Sequence, residues 1–255
     1  MKRILRALPA VLVLAVLIAV WEVYVDTGGV DSLILPSPHQ VARALYQDRS
    51  LLWSNFLVTA REVLLGILVA MAAGVLLAIA IHLARPIRLS VYPLVIGSQA
   101  IPIVMLAPVL TFWLGFGILP KLVVIALVSF FPIVVTTLDA LAAVDADLLK
   151  LMHTFDASRL RTFRQIELPA MLPGLFTGAK IAAAVAVIGA VFAEWTGSTS
   201  GLGYLFLQSI PQLLAARGVA AVTVLFLFAI SLFGLLTVAE RRVVPWAHQS
   251  EGERS

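Results

Sequence analysis

From residue 89 to residue 119 the chain carries no charged side chain, and five other stretches approach the same condition. These lie at residues 7–25, 56–84, about 120–138, about 174–195 and about 219–239. About 20 apolar residues wound as an α-helix cross the hydrocarbon of a bilayer, and the helix satisfies its own backbone polar groups there. Composition argues the same way. The 255 residues are 61% hydrophobic and 13% charged, whereas a soluble domain carries about 25% charged residues. A water-soluble fold of this size could not cover so much apolar surface. The expectation is an all-α membrane protein with six transmembrane helices.

Residues 7–25 follow Lys2, Arg3 and Arg6, as the apolar core of a signal peptide would. No small-residue cleavage site comes after them and further spans do, so an uncleaved first helix is the better reading. With the N-terminus inside, 13 of the 18 basic residues fall on the inner side: Lys2, Arg3, Arg6, Arg85, Arg88, Lys150, Arg159, Arg161, Arg164, Lys180, Arg241, Arg242 and Arg254. Arg43, Arg49, Arg61, Lys121 and Arg217 fall outside. The positive-inside rule then places both termini and the loop 139–173 in the cytoplasm. A net charge of +4 and a pI near 9.8 would point to nucleic acid in a soluble protein. In this chain the basic residues set orientation, and no nucleic-acid partner is expected. The absence of cysteine excludes a disulfide framework and a thiolate metal site. His39, His82, His153 and His248 show no ligand spacing, so no metal is expected.

Between the first two spans, Leu35-Pro36-Ser37-Pro38 is stiff and extended. Val41, Ala42, Leu45 and Tyr46 then follow at helical spacing, which predicts a short amphipathic helix near the membrane surface. Arg85-Pro86-Ile87-Arg88 breaks the second span from the third. The third run holds Pro93, Pro102 and Pro108, each lacking a backbone donor, so kinks or a break are expected within it. Gly115-Phe116-Gly117 marks a tight turn. Gln99 would be costly facing lipid and should face a cavity or another helix. Glu194, at the outer end of the fifth span, should face protein or water; gating, contact with another protein and a structural ion pair with Arg61 or Arg217 are open to it, the ion pair being favoured. Gly174 and Gly178 form a small-xxx-small pair suited to close helix packing.

The loop carries the most chemistry. Residues 145–155 place Leu148, Leu151, Met152 and Phe155 on one helical face, with Asp145 or Asp147 able to cap the start. Asp156-Ala157-Ser158 interrupts. A second short helix over 159–166 presents Arg159, Arg161 and Arg164 to phosphate or acidic protein. Leu168-Pro169 should end it, and Pro173-Gly174 should turn the chain back into the membrane. A loop that merely enforced topology would not need two amphipathic helices. Their apolar faces must pack on neighbouring spans or on a docked protein.

This segment resembles the cytoplasmic loop of binding-protein-dependent ABC importer permeases. The family pattern is Glu-Ala-Ala, three residues, Gly, nine residues, Ile, one residue, Leu-Pro. Ile166, Leu168 and Pro169 match its end; Asp156 stands at the Gly position, and Lys150-Leu151-Met152 replaces Glu-Ala-Ala. Asp tolerates the left-handed turn that Gly supplies there. Leu35-Pro36-Ser37-Pro38, Gln99-Ala100-Ile101-Pro102, Leu106-Ala107-Pro108, Phe112-Trp113-Leu114-Gly115-Phe116-Gly117 and Ala193-Glu194-Trp195 extend the likeness over most of the chain.

The resemblance implies the type I ABC importer permease (MetI-like) fold in a bacterial cytoplasmic (inner) membrane. Its expected parts are residues 1–55 (first span and amphipathic segment), 56–242 (a five-helix core with the loop 139–173) and 243–255 (a cytoplasmic tail). It implies no catalysis by this chain. Two ATP-binding subunits would hold ATP and Mg, which agrees with the lack of a Gly-x-x-x-x-Gly-Lys-Ser/Thr stretch here. An extracytoplasmic solute-binding protein and a second permease copy would complete the assembly in lipid. The coupling element would comprise Lys150, Leu151, Met152, Phe155, Asp156, Ala157, Ser158, Arg159, Arg161, Arg164, Ile166, Leu168 and Pro169. The pathway candidates are Gln99, Pro102, Pro108 and Glu194. The signature resembles the branch handling nitrate, sulfonates, taurine, riboflavin and thiamine pyrimidine precursors. Gly-Phe-Gly-Ile-Leu-Pro-Lys and Ser-Phe-Phe-Pro-Ile-Val-Val lean toward riboflavin or a pyrimidine precursor. A secondary transporter or channel would instead need midplane coupling acids or a repeated half. A membrane-embedded enzyme would need an activated nucleophile or paired carboxylates, and Ser129 and Thr136 have no such neighbours in sequence.

Overall fold

The computed structural model describes residues 2–248, and among the described residues the regular structure is all helical. Eleven α-helices run in order along these residues: α1 (Lys2–Asp26), α2 (Pro38–Gln47), α3 (Arg49–Leu83), α4 (Arg85–Gly97), α5 (Ile103–Leu114), α6 (Ile118–Ala142), α7 (Ala146–Thr154), α8 (Arg159–Thr162), α9 (Leu168–Trp195), α10 (Leu202–Ser209) and α11 (Ala215–Val243). Four are long and apolar enough to cross a membrane: α3, α6, α11, and α8 running into α9 over Arg159–Trp195. A fifth arises if Arg85–Ala100 and Ile103–Leu114, bent by 103° at their junction, form one broken span. α1 adds a helix of 25 residues. The expected tail beyond residue 248 lies outside the described residues.

Several expected boundaries move, each for a local reason. α3 begins at Arg49 rather than near residue 56, because Asp48 closes α2 and a new helix starts at once. The break after the second span is a single extended residue, Ala84 (φ −125°, ψ 106°), and Pro86 sits in the first turn of α4 where its missing N–H costs nothing. Pro173 does not turn the chain. α9 passes through it, one backbone bond being lost inside an otherwise packed helix, while Thr177 Oγ1 donates to the Pro173 carbonyl at 3.0 Å. α10 was not anticipated; its apolar run is only eight residues long.

The chain divides into two compact units. The first comprises Met1–Thr59 and Thr199–Phe226. In it, Asn55 Oδ1 accepts from Gly201 N (2.7 Å) and Thr59 Oγ1 from Leu202 N (2.8 Å), which together cap the start of α10. Arg217 forks onto Asp48 through Nε (2.8 Å) and Nη2 (3.1 Å). The Glu22 carboxylate accepts from His39 N at the start of α2 and from its Nδ1. Glu22, Asp26 and His39 thus come within 4.8 Å of one another, a grouping that sequence spacing did not suggest. His39 and Asp26 are exposed, and His39 Nδ1 is shared by Glu22 and Ser37, so the cluster serves to seat α2.

The second unit comprises Ala60–Ser198 and Leu227–Ser255. Its spine is α6 packed along α9. A side chain at Gly178 would strike Ile133 Cα and the Pro132 carbonyl, so the small-xxx-small pair is used for helix packing. Ala78, Ile81, Val95 and Val134 form a buried cluster joining α3, α4 and α6. Ala107, Leu110, Val124 and Ala193 do the same for α5, α6 and α9.

Candidate functional site

The loop between α6 and α9 is built by capping. Asp145 Oδ1 accepts from Asp147 N at 2.8 Å, starting α7, and Asp147 adds negative charge in its first turn. At the other end Ala157 N donates to the Met152 carbonyl and Asp156 N to that of His153, both at 3.1 Å. This is the double closure of a helix whose next residue is left-handed, and Asp156 occupies that place with φ +51°. Ser158 Oγ then accepts from Arg161 N (3.4 Å) and starts α8.

Between α8 and α9 the backbone widens into a π turn, Phe163–Glu167, with Leu168 N donating to the Phe163 carbonyl. Pro169 explains the widening. It cannot donate to the carbonyl of residue 165, and its ring would crowd that oxygen in a regular helix. The chain therefore does not stop at Leu168-Pro169 but continues into α9.

α7 buries none of its residues. Leu151 (50%) and Phe155 (73%) are exposed, as are Leu148 and Leu160. Lys150, Asp156, Ser158, Arg159, Arg161 and Arg164 also face outward, Lys150 pairing with Asp147 at 2.8 Å. Met152, Ala157, Ile166, Leu168 and Pro169 are half-buried. The loop thus presents apolar and basic side chains together on a surface that its own unit leaves uncovered.

A second feature lies at the 103° bend. Gly97 leads into a 3-10 turn over Ser98–Ala100, and Pro102, extended at ψ 112°, starts α5. A cavity of about 430 Å³ opens here, lined by Leu94, Ser98, Gln99, Ile103, Leu106 and Phe130 among others, and no described residue lining it is charged. Gln99 is exposed into it; Pro102 and Pro108 are exposed nearby on the same bent element.

Comparison with known proteins gives these features a family. Residues 63–245 match the model of the binding-protein-dependent transport system inner membrane component. The chain belongs to this family of ABC importer permeases. The permease is 32% identical to the formylaminopyrimidine transport permease protein ThiX of Halalkalibacterium halodurans, covering 96% of this chain and 98% of that one. It is 32% identical to the riboflavin transport system permease protein RibX of Chloroflexus aurantiacus (94% and 89% covered). It is 27% identical to a putative aliphatic sulfonates transport permease protein SsuC of Bacillus subtilis (93% and 87% covered). The fold resembles a chain of the inward-facing MetNI methionine ABC transporter, with a TM-score of 0.54 at 21% identity over 83% of this chain and 97% of that one.

Glu194 does not line the cavity. It is fully buried in the permease, beside Glu62. Lys121 Nζ donates to Glu62 Oε1 at 2.6 Å and to Ser198 Oγ at 2.7 Å. Lys121 lies in the first turn of α6, where the helix dipole opposes a cation, so Glu62 offsets both its burial and its position. Arg217, one of the two partners considered for Glu194, is engaged by Asp48. Lys180 and Glu240 form another internal pair at 2.8 Å. Sequence reading did not find the Lys121 and Lys180 pairs. Isolated charges inside apolar runs were the available signal.

Proposed function

We propose that the permease, as a homodimer in a bacterial cytoplasmic membrane, forms the translocation pathway for riboflavin or a pyrimidine precursor delivered by an extracytoplasmic binding protein. Two separate ATPase subunits, holding ATP and Mg, dock on the loop formed by α7, the Asp156 turn and α8. α1, the bent pair α4–α5, α3, α6, α9 and α11 make six spans, with both termini and the docking loop in the cytoplasm. The observation that carries this reading is the loop itself: capped helices whose apolar and basic side chains face away from their own unit. Such a surface needs a partner, and the apolar and basic mixture suits a groove with acidic rims.

The uncharged cavity beside Gln99 supports a neutral heterocycle. It offers hydrogen bonds and apolar walls but no cation for a sulfonate. The sulfonate-named relative keeps a sulfonate or taurine as the second candidate. The test is uptake into proteoliposomes holding the permease, its ATPase and its binding protein. Radiolabelled riboflavin, formylaminopyrimidine and taurine are supplied in turn, with and without ATP. ATP-dependent uptake of one of the first two is expected. Uptake of taurine alone would replace the substrate, and uptake without the ATPase would overturn the importer reading.

A further inference from the structure

Glu167 occupies the residue that the family pattern leaves unspecified, between Ile166 and Leu168, and it is 1% exposed. A carboxylate so deeply buried persists when opposite charge or donors surround it. Two groups do. Arg159 Nη1, at the start of α8, lies 3.2 Å from Glu167 Oε1. His82 Nε2, in the last turn of α3, lies 3.2 Å from the same oxygen. Neither His82 Nε2 nor the carboxylate oxygens have the alignment of a hydrogen bond. The node is held by charge and proximity, a kind of contact that survives small rotations better than an aligned hydrogen bond does. Either the imidazolium or the Nε2–H tautomer of His82 can face the carboxylate.

What the node joins matters more than its strength. On one side is the basic, outward-facing loop, through Arg159 and the π turn of which Glu167 is the last residue. On the other is the cytoplasmic end of α3, two residues from the extended hinge at Ala84. Beyond that hinge α4 leads to the bend and to Gln99. Ile81, next to His82, packs in one buried cluster with Val95 of α4 and Val134 of α6. Contacts thus run from the loop that carries Glu167 to α3, and through the shared cluster to Val95 in the wall of the cavity. Packed clusters shift as units because they are not continuously deformable.

We propose that Glu167 is a positioning residue that passes motion of the docking loop to the α3–α4 hinge through His82, with Arg159 holding it to the loop. This rests on the importer reading, so the test must separate the two. The full importer complex is reconstituted, and uptake is measured per ATP hydrolysed with whichever of riboflavin, formylaminopyrimidine or taurine the native complex takes up. Glu167→Gln should keep ATP hydrolysis within about twofold of native while uptake per ATP falls about tenfold, the scale of a typical coupling free energy. Glu167→Asp, which keeps the charge, should recover at least about half of the uptake lost by Glu167→Gln. His82→Gln should lower uptake per ATP in the same way, and the double variant Glu167→Gln/His82→Gln should be no worse than Glu167→Gln alone. If Glu167→Gln fails to assemble, His82→Gln and Glu167→Asp carry the comparison. Native-like coupling in Glu167→Gln or His82→Gln, full additivity in the double variant, or parallel loss of hydrolysis and uptake would overturn the proposal. A native complex whose uptake does not depend on ATP would overturn the importer reading instead.

Discussion

Asp156 shows how one side chain can meet a backbone demand that belongs to another residue type. The closure of α7 requires a left-handed residue, and Asp supplies it at φ +51°. That conformation costs a non-glycine residue about 1–2 kcal/mol. Asp156→Gly should therefore stabilise the loop by up to about 1 kcal/mol, reduced by the greater freedom of glycine in the unfolded chain. Slower hydrogen exchange at the Ala157 amide would register the gain, and Asp156→Val should speed it. Lys121 makes the opposite point. Removing it takes from Glu62, 3% exposed, the cation that hydrogen-bonds it, and breaking a buried pair from one side costs about 3–5 kcal/mol. Thermal unfolding in detergent should show a large loss for Lys121→Ala. The double variant Lys121→Met/Glu62→Gln should lose much less, because both charges of the pair are removed together.

Among the elements, α6 and α9 set the tolerance of the fold. A Cβ at Gly178 meets the backbone of Ile133 and Pro132, which cannot rotate away. Gly178→Leu should cost at least about 1–3 kcal/mol, the range for overpacking, read as a lowered unfolding temperature. Gly97 is the contrast. It has helical φ (−62°), and a Cβ added there would meet nothing within 4 Å, so Gly97→Ala should be neutral or slightly stabilising in the same assay. The bent pair was legible in outline, since Pro93, Pro102 and Pro108 announced a break. Its 103° angle was not, because that depends on where α4 and α5 find partners on α6 and α9. The continuity of α9 through Pro173 likewise depends on packing along α6, which compensates one missing hydrogen bond.

For the molecule as a whole, surface chemistry follows what each face must meet. Apolar residues of α1 such as Val11, Leu14 and Leu17 are 59–61% exposed, a surface suited to lipid or to another helix and not to water. The loop between α6 and α9 exposes Leu151 and Phe155 beside Arg161 and Arg164. Reversing charge at Arg161 or Arg164 should leave insertion into the membrane unchanged. It should lower ATP-dependent uptake in the reconstituted complex by about 10-fold or more, as loss of interfacial charge pairing does; normal coupling would count against the loop as the docking site.

The left-handed turn at residue 156 followed from the resemblance to the family pattern; the long apolar helices, the amphipathic helix after the paired prolines and the capped loop were legible in the chain alone. Each of these is written within a few turns of helix, in spacing, caps and runs of apolar residues. Folding had to bring Lys121 to Glu62, 59 residues away, and Lys180 to Glu240, 60 residues away, and to bury Glu167 between Arg159 and His82. Such pairings depend on which helix faces pack together, and the local spacing of residues carries no record of that choice.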